Sequence, residues 1–163
     1  MAYAPILATL GYVLSPDRRR VLLVHRNKRP SDAHLGKYNG LGGKLEAGED
    51  VVACLRREIR EEAGIECESL RLCGTISWPR FGKHGEDWFG FVFRIDRFSG
   101  EPLAENHEGT LVWVEVERIP TLPLWEGDCH FLPLVFGNDT PQFHGVMPYR
   151  DGQPLAWSYS LIP

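Results

Sequence analysis

The chain has 163 residues and is 43% hydrophobic, so we expect one domain, residues 1–163, with a sizeable core. Its formal net charge of −4 argues against a large surface for duplex nucleic acid, but it permits a small anionic substrate because a bound cation reverses the local charge. No basic segment precedes the apolar N-terminus, and no apolar run reaches membrane-spanning length. These features predict a cytoplasmic protein without a membrane partner; they predict no particular oligomeric state.

The four cysteines lack the C-x-x-C spacing that is typical of structural zinc sites. Cys54 falls in a predicted helix, whereas Cys67 and Cys73 fall in or near a predicted strand. For these and Cys129 we expect buried, free thiols in a reducing compartment.

The first part of the chain alternates apolar runs with polar turns. Residues 6–14 and 21–25 are predicted strands, separated by a turn at residues 15–17. Residues 27–37 are polar and predict a loop. Residues 38–41 then form a short predicted strand that leads to a pair of glycines.

Gly42 and Gly43 begin the most informative stretch, because backbone without side chains can approach a ligand closely. A helix is predicted to follow, with Glu49 and Asp50 as acidic caps at its N-terminus and Gly64 at its end. Apolar residues recur at helical spacing and predict a buried stripe: Val52, Leu55, Ile59 and Ala63.

Three glutamates lie on another face of this predicted helix. Glu58, Glu61 and Glu62 are spaced i, i+3 and i+4, so their carboxylates project from one patch and repel one another. A divalent cation would compensate this charge, and ligands that are all oxygens favour magnesium or manganese over zinc. The alternative is a solvated acidic face that is neutralised by neighbouring arginines: Arg56, Arg57 and Arg60.

After the helix, residues 69–78 and 88–95 are the predicted strands of a hairpin that turns at residues 81–87. Residues 102–109 predict a loop, and residues 111–116 predict another strand.

The last part of the chain predicts a second helix and a final hairpin. Residues 125–136 are the predicted helix, which we expect to be buried through apolar side chains: Leu124, Phe131, Leu132, Val135 and Phe136. Residues 142–160 are the predicted hairpin, which turns at Asp151 and Gly152. Two helices with a mixed sheet predict an α/β or α+β protein.

Nine positions match the pattern G-x5-E-x7-R-E-U-x-E-E-x-G-U, where U is an apolar residue: Gly43, Glu49, Arg57, Glu58, Ile59, Glu61, Glu62, Gly64 and Ile65. This pattern is the signature of the Nudix hydrolases, and the segment resembles it at every fixed position. The resemblance implies an α/β class Nudix fold, with a mixed β-sheet in an α/β/α sandwich. It also implies a loop–helix–loop that holds magnesium for hydrolysis of a nucleoside diphosphate linked to another group.

Segments outside the signature resemble the MutT-homologue subfamily, whose members hydrolyse oxidised purine triphosphates such as 8-oxo-dGTP to the monophosphate and pyrophosphate. These segments are residues 39–44, 125–128 and 143–145. The resemblance therefore implies a small-molecule nucleotide substrate and a role in removing oxidised nucleotides from the nucleotide pool.

The metal site follows from the same resemblance, residue by residue. It implies that the carbonyl oxygen of Gly42 and the carboxylates of Glu58, Glu61 and Glu62 hold Mg²⁺, with Mn²⁺ as an alternative ion. Glu108, five residues before a tryptophan, stands where the subfamily has a further acidic ligand or base.

The catalytic roles within this set stay partly open. Arg57 is interpreted as an organiser that pairs with a signature glutamate, and Glu49 as a brace for the loop or the metal shell. Glu105 competes with Glu108 for the functional role. The general base is one of three glutamates: Glu61, Glu62 or Glu108.

The resemblance also implies a base-binding site. Asn39 corresponds to a residue that hydrogen-bonds the purine, Asp128 to one of two base-reading aspartates, and Trp125 to an aromatic side chain that stacks on the base. Arg26 stands where the subfamily has a lysine near the substrate. Gly127 replaces the second aspartate, which puts the preferred base in question. The alternative interpretations are a turn residue for Asn39, a core residue for Trp125 and a helix cap for Asp128.

Two other functions are compatible with the sequence. One is a Nudix hydrolase for a different substrate, such as a dinucleotide, ADP-ribose or capped RNA. The other is a non-catalytic module that senses a nucleotide, although a sensor would not need the complete set of glutamates.

Overall fold

The computed structural model describes residues 1–163. It contains eleven strands: β1 (Ile6–Leu14), β2 (Arg20–Arg26), β3 (Tyr38–Asn39), β4 (Leu41–Lys44), β5 (Glu66–Trp78), β6 (Trp88–Ser99), β7 (Gly109–Glu115), β8 (Gln142–Val146), β9 (Tyr149–Arg150), β10 (Gln153–Pro154) and β11 (Ser158–Ile162). The helices are α1 (Val51–Ala63), α2 (Asp128–Phe136) and a short 3-10 helix, Val116–Thr121. No helix is long and apolar enough to span a membrane.

Nine strands form one mixed sheet, in which β1 is central. β1 runs parallel to β6 and antiparallel to β2 and β4. β5 extends the sheet through an antiparallel pairing with β6, a parallel pairing with β8, and then β11 at the edge. The short strands β9 and β10 form a separate hairpin.

The two helices lie on opposite faces of this sheet. Val13 of β1 packs in a cluster with Leu55 and Ile59 of α1, whereas its neighbour Tyr12 packs in a second cluster with Phe131 of α2. Successive side chains of a strand point to opposite faces, so both faces of β1 are buried. The α/β/α sandwich with a mixed sheet is therefore confirmed.

The first helix has the predicted cap Asp50 and the predicted end at Gly64, whereas Glu49, also predicted as a cap, bonds to Arg57 instead. Asp50 accepts hydrogen bonds from the backbone amides of Val52 and Ala53, at 2.9 and 2.8 Å, and Gly64 ends the helix with a left-handed φ of 70°. The predicted stripe is buried at Leu55, Ile59 and Ala63 but half-exposed at Val52.

Three expectations for the second half of the chain are corrected. The second helix begins at Asp128 rather than at residue 125, because Tyr38 forms a β-bridge with Leu124 that keeps this part of the chain extended. Leu124 and Phe136 are only half-buried. The chain does turn at residues 151–152, but that turn joins β9 to β10. These two strands form a small hairpin, which lies in the sequence between β8 and its partner β11.

All four cysteines are free thiols. Three are buried, as expected, whereas Cys129 is exposed because it lies in the first turn of α2 on the side away from the core.

Candidate active site

The paired glycines bring the backbone of β4 against the sheet and against α1. Gly42 has a φ of 155°, and a side chain there would overlap the carbonyl oxygen of Thr9 in β1. A side chain on Gly43 would overlap the carboxylate of Glu58. Glycine at both positions therefore lets a signature carboxylate lie directly over the turn.

Arg57 is the hub that fixes this turn to the helix. Its guanidinium donates to the two carboxylate oxygens of Glu49 at 2.5 and 3.0 Å, to Glu58 at 2.8 Å and to the carbonyl oxygen of Lys44 at 3.2 Å. The hydrogen bonds from Arg57 and from the amide of Glu46 lower the pKa of Glu49 to about 2. Arg57 thus pairs with the signature residue Glu58 and holds Glu49, while the organising role of Arg57 and the bracing role of Glu49 stay predictions.

Four carboxylates are called the acidic group here: Glu58, Glu61, Glu62 and Glu108. Glu62 is its buried member. Its side chain accepts one hydrogen bond, from the backbone amide of Gly42 at 3.2 Å. Burial, followed by the nearby charges of Glu108 and Glu58, raises the pKa of Glu62 to about 8. Glu61 differs, since its side chain is 60% exposed and has a single long contact, 3.4 Å, to Arg57.

Glu108 reaches this group from the loop before β7. Its Oε2 accepts from Arg26 at 3.1 Å, and its amide donates to the Asn106 side chain at 2.9 Å. Glu105, the competing residue, instead pairs with Lys28 at 2.9 Å and is 62% exposed. The structure therefore brings Glu108, and not Glu105, to the buried carboxylates.

Asp32 is a member of this network that the sequence did not reveal. It accepts from Arg26 Nε at 2.7 Å and from the amide of His34 at 2.9 Å. Burial opposes ionisation of Asp32, but these hydrogen bonds prevail and lower its pKa. Arg26 thus links the loop of residues 27–37 to Glu108, a connection for which the sequence carries no motif.

The chemistry of this acidic group fits a hard divalent cation. Its donors are all oxygens, and Glu62 is a buried carboxylate surrounded by like charges with one amide as its partner. The side chains do not yet converge, since no three acidic, histidine or cysteine side chains are grouped as metal ligands. Glu58 and Glu108 bond to Arg57 and Arg26 instead.

A cavity of about 300 Å³ joins this acidic group to an aromatic end. Gly42, Arg26, Glu62 and Glu108 line the acidic end of the cavity. Aromatic and polar side chains line the other end: Asn39, Trp78, Phe81, Trp88, Trp125, Asp128 and Tyr149. The predicted base-binding residues are thus brought together, about a cavity that is continuous with the carboxylates.

Polar atoms without protein partners mark the aromatic end. The Oδ1 atom of Asn39 and the indole nitrogens of Trp88 and Trp125 are buried without a hydrogen bond. Burial, followed by the charge of Glu126, raises the pKa of Asp128 to about 7. Such atoms are suited to a ligand that both donates and accepts hydrogen bonds.

The structure gives a physical reason for glycine at position 127. A side chain there would overlap the sulfur of Met147 and the hydroxyl oxygen of Tyr149. These two side chains take the space that a second aspartate would need.

Four residues of the aromatic end were not predicted from the sequence as site residues: Trp78, Phe81, Trp88 and Tyr149. Trp78 and Trp88 are the last residue of β5 and the first residue of β6, so the turn between these strands holds them side by side. The one signal available was this pair of tryptophans flanking a hairpin turn.

Comparisons with known proteins agree with this geometry. The NUDIX domain model matches residues 5–135. The chain is 36% identical over 129 residues to the oxidized purine nucleoside triphosphate hydrolase of Danio rerio, covering 79% of this chain and 78% of that protein. It is 34% identical over 155 residues to the Mus musculus protein of the same name, covering 95% and 93%.

A solved structure gives the same result for the fold. The MutT protein of Bacillus halodurans superposes with a TM-score of 0.82 at 28% identity, covering 97% of this chain and 99% of that protein. The signature, the sandwich and these similarities agree, and the chain belongs to the Nudix hydrolase family.

Proposed function

We propose that this protein hydrolyses oxidised purine nucleoside triphosphates such as 8-oxo-dGTP to the monophosphate and pyrophosphate. The observation that carries the proposal is the continuous cavity, which has the carboxylates of Glu62 and Glu108 at one end and aromatic side chains with unpartnered polar atoms at the other. The names of the Danio rerio and Mus musculus relatives support the same substrate class. We also propose that residues 1–163 form one cytoplasmic catalytic domain.

Nudix hydrolases generally use a divalent metal ion, and we propose Mg²⁺ here, with Mn²⁺ as a substitute. The carbonyl of Gly42 and four carboxylates would hold it: Glu58, Glu61, Glu62 and Glu108. When bound, the ion neutralises charge on the phosphate oxygens and orients or acidifies the attacking water.

The residues around the carboxylates supply order. Arg57 holds Glu58 and Glu49 against the glycine turn, so the rotamers of these side chains are set before a nucleotide arrives. Arg26 does the same for Glu108 and adds a positive charge beside the polyphosphate. The general base that accepts the proton of the attacking water would be one of three carboxylates with different surroundings. Glu61 is exposed, Glu62 is buried, and Glu108 is paired with an arginine.

At the other end, Asn39 and Asp128 would read the edge of the purine. Asn39 presents an unpartnered Oδ1 as an acceptor. Asp128, with a pKa of about 7, carries its proton in part of the molecules near neutral pH and can then donate as well as accept. With Met147 and Tyr149 in place of a second carboxylate, we expect oxidised guanine to be preferred over oxidised adenine.

The test is a comparison of kcat/KM for 8-oxo-dGTP and dGTP in saturating magnesium. We expect the oxidised nucleotide to have the higher value, with pyrophosphate as the released product. Hydrolysis in oxygen-18 water followed by mass spectrometry shows which phosphorus atom the water attacks. Stepwise release of orthophosphate would contradict the predicted release of pyrophosphate in one step. If kcat/KM for 8-oxo-dGTP does not exceed kcat/KM for dGTP, the substrate proposal is wrong, although the family assignment stands.

A further inference from the structure

Two aromatic rings stack on Trp125. The His34 ring stacks on it with a centroid separation of 4.1 Å and an angle of 22°, and the Phe81 ring stacks at 5.3 Å and 29°. His34 comes from the loop before β3, whereas Phe81 comes from the turn between β5 and β6.

The two rings are not equivalent with respect to the proposed base site. Phe81 lines the cavity that contains Asn39 and Asp128, and it also lines a neighbouring groove, whereas His34 lines only the groove. A base that contacts Asn39 and Asp128 and stacks on Trp125 inside this cavity would therefore meet the Phe81 ring, which already contacts the indole.

Phe81 is also the ring around which the aromatic end is arranged. Besides stacking on Trp125, it makes edge contacts with Trp88 at 5.8 Å and Tyr149 at 5.0 Å, and a tilted contact with Trp78 at 5.8 Å. All four partners line the same cavity. One flat ring surrounded by four others is an arrangement suited to a flat base.

We propose that Phe81 takes the place of the base in the nucleotide-free protein, and that a purine binds by displacing this ring from Trp125. The inference rests on the proposed function, because it assumes that a base enters this end of the cavity. It makes Phe81 a specificity-determining residue, since a base binds only if it stacks on Trp125 better than a phenyl ring does. A two-ring purine covers more of the indole than a one-ring pyrimidine, which gains little from the exchange.

The backbone around Phe81 is suited to such an exchange. Phe81 lies in the turn between β5 and β6, and its amide makes a long hydrogen bond of 3.4 Å to the Trp78 carbonyl. Arg80 before it has a φ of 62°, a left-handed conformation that costs a non-glycine residue energy. Movement of the ring therefore breaks no regular strand pairing.

The cavity volume agrees with an occupied base site. About 300 Å³ is at the low end for pockets that enclose a ligand the size of a nucleotide. Displacement of the Phe81 side chain would add the volume of one aromatic ring at the end where the base is read.

The test is equilibrium binding of dGMP and dCMP, without metal, to the wild-type protein and to Phe81→Ala. Removing the competing ring should tighten dGMP binding by about 2- to 10-fold, the factor that corresponds to one aromatic pair. Phe89→Ala is the matched control, because it removes a ring of equal size whose partner Phe91 lies outside the cavity, and it should bind as wild type does. Equal or weaker dGMP binding by Phe81→Ala, or no binding by any of the three proteins, would overturn the inference.

A second measurement follows the ring itself and does not depend on the alanine variant folding. In protein labelled with 4-fluorophenylalanine, the fluorine resonance of Phe81, assigned from its loss in Phe81→Leu, should shift toward a solvent-like position when dGMP saturates the site. A resonance that stays in place at saturation would show that the ring is a fixed wall. Neither measurement involves hydrolysis or an oxidised base, so both keep their meaning if the preference for 8-oxo-dGTP is wrong.

Discussion

The two ends of the cavity are built on different physical principles. The acidic end is held by ion pairs and hydrogen bonds with defined geometry, in which Arg57 and Arg26 position the glutamates. The aromatic end is held by ring contacts, with buried polar atoms that have no partner in the protein. Ion pairs thus fix Glu58 and Glu108 at the acidic end, although its carboxylates are not grouped as metal ligands, whereas the aromatic end has buried polar atoms without partners.

This difference indicates that phosphoryl transfer depends more on fixed geometry than base recognition does. Phosphoryl transfer requires charges to be in place before the substrate arrives, because reorganising them during the reaction would cost rate. Base recognition tolerates adjustment, since stacking is weakly directional and every base presents a flat face. We therefore expect substitutions at the acidic end to reduce kcat strongly, and those at the aromatic end to change selectivity and KM.

The largest effect is expected at the acidic end. Glu61→Gln and Glu62→Gln should each lower kcat by at least about 100-fold, the low end for losing a positioned acid–base group. Circular dichroism should show an unchanged fold. Glu66→Gln, which removes a surface partner of Arg60, is the control and should retain activity. Near wild-type turnover by both site variants in saturating magnesium would remove the proposed role of the α1 carboxylates.

Arg57→Lys tests whether the acidic end depends on preorganisation rather than on charge. Lysine keeps the positive charge but cannot contact Glu49 and Glu58 with a planar fork. We expect the magnesium concentration for half-maximal activity to rise by about 10- to 100-fold, as for other residues that orient metal ligands. Arg60→Lys, at the surface of the same helix, should leave the magnesium requirement unchanged. An equal requirement in Arg57→Lys would mean that charge alone is enough.

Asp128→Asn examines the aromatic end. Asparagine cannot exchange a proton as a carboxyl group does, so kcat/KM for 8-oxo-dGTP should fall several-fold to about 100-fold, as for loss of a buried polar contact of ~1–3 kcal/mol. Trp125→Ala provides the contrast, because it should raise KM for all purines alike. If Asp128→Asn lowered activity equally for every nucleotide, Asp128 would not be reading the base.

A further prediction concerns stability rather than activity. Glu62 has a folded-state pKa of about 8, raised above its ordinary value of 4.5, so the folded protein keeps a proton that the unfolded chain loses. The stability of metal-free protein should therefore fall as pH rises between about 5 and 8, with a slope of at most about 1.4 kcal/mol per pH unit from this residue. Urea unfolding of Glu62→Gln should lack this slope. A wild-type profile that is equally flat would mean that Glu62 is ionised in the fold without metal.

The sequence by itself determined the features that depend on neighbouring residues. The α1 helix, its Asp50 and Gly64 caps and the spacing of its glutamates follow from a 3.6-residue period within one segment. The pair of glycines in β4, Gly42 and Gly43, could be read from the sequence for the same reason. This contiguity is also why the family could be recognised from residues 43–65 and was then confirmed.

Only the tertiary structure decided the features that join distant segments. Glu108 rather than Glu105 reaches the carboxylates because the loop before β7 turns at Asn106, and Asp32 enters through its pairing with Arg26. The Phe81 ring lies on Trp125 because the β5–β6 turn folds over the loop before α2. No local period encodes such contacts, since they depend on how sheet order and loop paths bring together residues that are far apart in the chain.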